Sequence, residues 1–100
     1  MKITRSHSVS MSVGAFAEQH GLAMKVHKRT DGSFSAEFEG AEVRRGTCML
    51  LSMSGEGFTE ELAISDYAQQ LSGQLMIVDA LRDTRREIWV PQLTGEWKEG

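Results

Sequence analysis

Two segments of this chain carry apolar residues at helical spacing, five others alternate or run apolar over strand lengths, and the helical segments bracket three of the strands. That order predicts an α+β fold. The expected architecture is an αβββα core with two helices on one face of an antiparallel sheet, followed by a C-terminal β-hairpin. One hundred residues with 40% hydrophobic content supply one compact core. The expected organisation is a flexible N-terminal arm over residues 1–11, a single α+β domain over 12–92 and a C-terminal tail over 93–100.

Residues 1–11 are polar and serine-rich without a period, which predicts a frayed start. Ser12 then offers a capping hydroxyl, Val13, Phe16 and Ala17 fall on one helical face, and Gly21 supplies the favoured terminating residue. Leu22, Met24 and Val26 alternate with Ala23, Lys25 and His27, the period of a half-buried strand. Thr30-Asp31-Gly32-Ser33 is a turn signal, after which Phe34, Ala36 and Phe38 complete a hairpin with one apolar face. A third strand is expected over residues 47–53, whose apolar side chains on both sides of the pleat predict burial inside the sheet. Helix two, over residues 59–71, has Thr59 as N-cap, Glu60 and Glu61 in its first turn, Ile64, Tyr67, Ala68 and Leu71 on one face, and Gly73 past its end. Residues 75–80 and 87–90 read as two further strands, joined by the charged turn 82–86 and closed by Pro91. The two-sided apolar strands require cover on the second face of the sheet, and the C-terminal hairpin, a second copy of the chain and a foreign partner are the candidates.

Net charge is −3, unevenly spread: residues 1–50 hold 7 basic and 5 acidic side chains, residues 51–100 hold 4 and 9. Residues 46–81, a run of 36, contain no Lys, Arg or His but carry Glu56, Glu60, Glu61, Asp66 and Asp79. An acidic helix start repels phosphate, so this region points to a basic protein surface rather than to nucleic acid. Glu56, Glu60, Glu61 and Asp66 are the candidate partner contacts, able to imitate phosphate spacing and meet Arg or Lys. The same residues are also explained without a partner, by the helix dipole and a solvated face. Trp89 alternates with Ile88 and Val90 and is expected on the face opposite them, beside Glu87, either as an interface anchor or buried against the arm or tail. Lys25, His27 and Arg29 form a weak basic stripe without interleaved aromatics.

No grouping reads as catalytic or metal-binding, and no cofactor is expected. Cys48, the single cysteine, leaves no internal disulfide and is expected as a small core residue within an apolar strand. His7, His20 and His27 lack a metal spacing, and His20 suits the end of a helix. Met49, Met53 and Met76 read as core filler. Apolar runs are too short to span a bilayer and no apolar signal segment follows the basic start, so a cytoplasmic protein without membrane association is expected.

Gly55-Glu56-Gly57-Phe58-Thr59, leading to Ala63, Tyr67 and Ala68, resembles the end of a double-stranded-RNA-binding domain, whose third strand runs through a Gly-x-Gly-x-Ser/Thr loop into an alanine-containing helix. The lysines of that family at the helix start are replaced here by Glu60, Glu61 and Leu62, which removes the contacts that grip a duplex. The stretch from Phe34-Ser35-Ala36-Glu37-Phe38-Glu39-Gly40 to Thr59-Glu60-Glu61-Leu62-Ala63 is similar to antitoxins of the HicB type, without their DNA-binding segment. Residues 68–81 and Arg85-Arg86-Glu87-Ile88-Trp89-Val90-Pro91 resemble small phage and prophage proteins, and residues 12–92 resemble the type I-F anti-CRISPR group in length and pattern. That resemblance implies a non-enzymatic inhibitor that binds the multi-subunit Csy surveillance complex where target DNA enters, and blocks target recognition or duplex opening. The alternative implied by the same core is a nucleic-acid-binding or antitoxin-like regulator. No binding residue is carried over by motif.

Overall fold

The computed structural model describes residues 10–47 and 49–97. Met11–Ser12 form a two-residue strand, β1, and Ser12 also caps helix α1, Val13–His20: its hydroxyl oxygen accepts from the Ala15 N–H at 3.1 Å. Val13, Phe16 and Ala17 are buried, and Gly21 ends the helix in the left-handed conformation at φ 66°. Strands β2, Met24–Lys28, and β3, Phe34–Phe38, pair antiparallel from Met24↔Phe38 to Lys28↔Phe34. In the turn between them the Asp31 carboxylate accepts both the hydroxyl and the backbone N–H of Ser33, which holds its carboxyl below the usual value.

Past Glu39 and Gly40 the chain enters a second sheet as β4, Ala41–Arg45, turns back as β5, Met49–Leu51, and only then returns to the first sheet as β6, Gly55–Gly57. The third strand of the β2-β3-β6 sheet is therefore Gly55–Gly57 and not residues 47–53. Residues 49–51 instead form an edge strand with Met49 and Leu51 exposed, which corrects the expectation of a buried central strand. Apolar content does not distinguish a central strand from an edge strand; close approach decides here. A Cβ at Gly55 would collide with the Ala63 carbonyl oxygen and the Tyr67 backbone nitrogen, and one at Gly57 with Leu62 and Ala63. Only a glycine strand lets the following helix lie directly on it.

That helix is α2, Glu60–Leu71, started by Thr59, whose hydroxyl oxygen accepts from the Leu62 N–H at 3.1 Å. Ala63, Ile64, Tyr67, Ala68 and Leu71 form its buried face. Both helices cover the same side of β2-β3-β6, where Phe38 meets Phe16 at a ring-centroid distance of 6.2 Å and Tyr67 edge-on at 5.4 Å. Because β6 stops opposite Ala36, the Phe38 N–H has no strand partner; it donates to the Tyr67 hydroxyl oxygen at 3.1 Å. Burial pushes the Tyr67 phenol up to about 12. The other face of this sheet is polar, with ion pairs Lys25–Glu37 at 3.9 Å and Arg29–Glu56 at 2.7 Å.

The expected C-terminal hairpin forms as β7, Leu75–Val78, and β8, Arg86–Trp89, but it extends a second sheet rather than lying over the outer face of the first. Strand β7 pairs with β4, giving a second sheet in the order β5-β4-β7-β8. Val43, Met76 and Val78 join the main core. Ile77, on the opposite face, is 0% exposed, and the Arg44–Glu87 ion pair, 4.0 Å, crosses β7 on that face between Leu75 and Ile77. Finally β9, Leu93–Thr94, pairs in parallel with β1, and the Gly14 N–H donates to the Glu96 carbonyl oxygen at 3.0 Å. Leu93 is buried, so residues 93–97 belong to the domain rather than to a separate tail, and Met11 belongs to it rather than to an arm. The frayed start expected for residues 1–9 and the core position expected for Cys48 lie outside the described residues. Among the described residues no helix is long and apolar enough to cross a membrane.

Candidate functional site

The five residues singled out from sequence fall in four different places. Glu56 lies on β6 and points to the outer face of the first sheet, where Arg29 pairs with it at 2.7 Å. Asp66 works inside the fold: one carboxylate oxygen accepts from the Glu56 backbone N–H and from Gln70 Nε2, both at 3.0 Å, tying β6 to α2. Gln70 Nε2 also donates to the Ser54 carbonyl oxygen at 3.0 Å, so the tie extends to the chain before β6. The charge of Glu56 is thus matched by a cation, and the Asp66 carboxylate is held in place by neutral donors. Lys25 is likewise paired, so two members of the expected basic stripe are neutralised by neighbouring carboxylates. His27 stays exposed on the same face, and His20 packs tilted against Phe16, with centroids 4.6 Å apart and ring planes at 55°, at the end of α1.

Glu60 and Glu61 are exposed in the first turn of α2, and among the described residues no side-chain hydrogen bond or ion pair engages their carboxylates. Beside them the structure assembles features that sequence reasoning missed. Phe58, the residue before the N-cap, is 80% exposed, and Leu62 one turn on is 55% exposed. On the other flank, Glu60, Glu61 and Ile64 face Gly95, Glu96 and Trp97 across a groove of about 600 Å³. The segment 95–97 is held there by close backbone contacts, since a Cβ at Gly95 would strike Ser65 and one at Gly14 would strike the Trp97 carbonyl. Trp97 is 39% exposed and forms an aromatic wall.

A signal for Phe58 and Leu62 existed in the sequence, because both fall outside the buried set 63, 64, 67, 68 and 71 of the helix. Glu96 and Trp97 had none: their placement follows from the β1–β9 pairing, two residues on each side.

Trp89 is 73% exposed beside Glu87, on the face opposite Ile88 and Val90. It is not brought together with Glu60 and Glu61, because β8 runs past the far end of α2, where the Gly73 N–H donates to the Val90 carbonyl oxygen at 3.0 Å. A second cleft, about 330 Å³, lies between the end of α1 and the β7–β8 turn. Two of its four charged groups are committed to the fold: Arg86 donates to the His20 carbonyl oxygen at 2.9 Å, and Asp79, at φ 55°, accepts from the Thr84 hydroxyl at 3.0 Å. Among the described residues no cluster of three or more His, Cys, Asp or Glu side chains could hold a metal ion.

Comparison with protein-family models, curated proteins and solved structures returns no match for this chain.

Proposed function

We propose that the protein is a stoichiometric, non-catalytic inhibitor that docks the start of α2 on a basic surface of another protein. In the reading suggested by the resemblance to the type I-F anti-CRISPR group, that partner is the Csy surveillance complex in the host cytoplasm, engaged where target DNA enters. The observation that supports docking is the pairing of exposed apolar side chains, Phe58 just before the N-cap and Leu62 in the first turn, with the carboxylates of Glu60 and Glu61, which nothing among the described residues engages. Aromatic and aliphatic anchors rimmed by charge are the usual make-up of a protein interface. Nucleic acid is disfavoured by the same surface, since its carboxylates repel phosphate and the cations Lys25 and Arg29 are already paired.

Reversing charge tests this directly. Glu60→Lys with Glu61→Lys is expected to weaken capture of purified Csy complex at least about tenfold, with faster loss at low salt than at high salt. Each carboxylate contributes roughly 0.3–1 kcal/mol to the helix dipole, so the melting temperature should fall by several degrees, and capture is compared well below it, where both proteins are folded. Unaltered capture would remove the reading, and tight binding of duplex RNA or DNA with a steep salt slope would replace it with the regulator.

A further inference from the structure

We propose that the groove between α2 and the segment 95–97 seats an arginine side chain of the protein partner, an inference that rests on the docking function above and names the chemistry of its main pocket. Three carboxylates, Glu60, Glu61 and Glu96, border the groove, and among the described residues no Lys, Arg or His lines it. On other faces Glu56, Glu37 and Glu87 each stand beside a cation, Arg29, Lys25 and, at 3.0 Å, Arg85. Among the described residues no cation stands against the three carboxylates of the groove.

The walls say which cation. A bare metal ion is disfavoured, because the carboxylates do not converge into a group able to coordinate one. Trp97 and Ile64 make the groove apolar between its charged rims, and a volume of about 600 Å³ admits a long side chain together with its flanking backbone. A guanidinium is planar and weakly hydrated; it stacks on an indole face while donating in a fork to a carboxylate. An ammonium is compact and strongly hydrated, so it gains less from the aromatic wall. The β1–β9 pairing and the Gly14–Glu96 hydrogen bond fix the backbone that carries Trp97 before binding, which limits the ordering cost to side chains.

The test is a titration of the full chain with the capped peptide acetyl-Gly-Arg-Gly-amide, followed at the Trp97 indole N–H resonance, assigned through Trp97→Phe. A saturable shift with a dissociation constant on the order of 1 mM is expected. The lysine peptide should bind at least about threefold more weakly and the neutral citrulline peptide should give no saturable shift, following the loss of stacking and then of charge. Glu61→Gln combined with Glu96→Gln should weaken the arginine peptide at least about fivefold while the melting curve stays in place. No saturable response, equal binding of the citrulline peptide, or indifference to the double variant would each overturn the proposal. Its failure is separable from that of the docking function. Csy capture that survives Trp97→Ala and the double variant rejects the groove alone, whereas arginine binding without Csy capture rejects only the choice of partner.

Discussion

The outer face of the β2-β3-β6 sheet is closed by charge pairs standing in water, Lys25–Glu37 and Arg29–Glu56, whereas the outer face of β5-β4-β7-β8 carries Leu75, Ile77 and Trp89 and buries only Ile77 completely. Both are antiparallel sheets of short strands from one chain, yet they solve burial in opposite ways. In the first, every apolar side chain turns to one side, where α1 and α2 cover it, and the polar side needs nothing. In the second, no helix among the described residues lies outside, and Ile77 is enclosed on a face crossed by the Arg44–Glu87 ion pair. Cover supplied by a helix demands exact backbone approach; cover supplied by neighbours on the same sheet demands only side chains in register.

Gly55→Ala should break the first arrangement and has the largest expected effect. Its Cβ meets backbone atoms of α2 that cannot rotate aside, so a loss of about 3 kcal/mol, the top of the overpacking range, is expected in urea unfolding. A loss below about 1 kcal/mol would show that α2 tolerates displacement from β6, and the contrast between the sheets would fail.

Ile77→Ala tests the second sheet. A cost of about 2 kcal/mol is expected, at the low end for removing a buried aliphatic side chain, because flexible neighbours can close over the space. Amide exchange should speed up in β7 and β8 while β3 and α2 stay protected; equal loss of protection everywhere would mean that the two sheets unfold as one unit.

Tyr67→Phe sharpens the comparison where the helix completes the first sheet. It leaves the buried Phe38 N–H without an acceptor, at a cost of roughly 1–2 kcal/mol. It also changes the alkaline limb. The phenol ionises near 10.0 when unfolded and at about 12 in the fold, so its contribution is complete below pH 10 and is lost as pH rises to about 12. The wild-type protein should therefore lose stability across that window and Tyr67→Phe should lose less; parallel melting curves for the two would show that this phenol is not the group responsible.

Much of this was legible residue by residue. Ser12, Gly21 and Thr59 act as the caps their chemistry suggests, because capping depends on a side chain and the backbone within three residues of it. The alternation through Met24–Lys28 and Phe34–Phe38 gave the right hairpin, and that of 87–90 put Trp89 on the open face. The third strand was misplaced because Gly-Glu-Gly has no apolar pattern to announce it, while residues 47–53 have a strong one. The candidate site was half visible: Glu60 and Glu61 stand where the helix cap puts them, but Glu56 and Asp66 were taken up by Arg29 and by backbone and Gln70 donors that lie distant in sequence or across the β6–α2 contact.

From its sequence alone this chain determines two capped amphipathic helices, the hairpins between its alternating strands, and a run of 36 residues without a cation, since periodicity, capping and charge are local properties. Only the tertiary structure decides which strand adjoins β3, which carboxylates are neutralised, and that Glu96 and Trp97 face Glu60 and Glu61 across one groove. Those outcomes depend on how closely two backbones can approach and on which distant side chains then meet, and no pattern within a single segment encodes either.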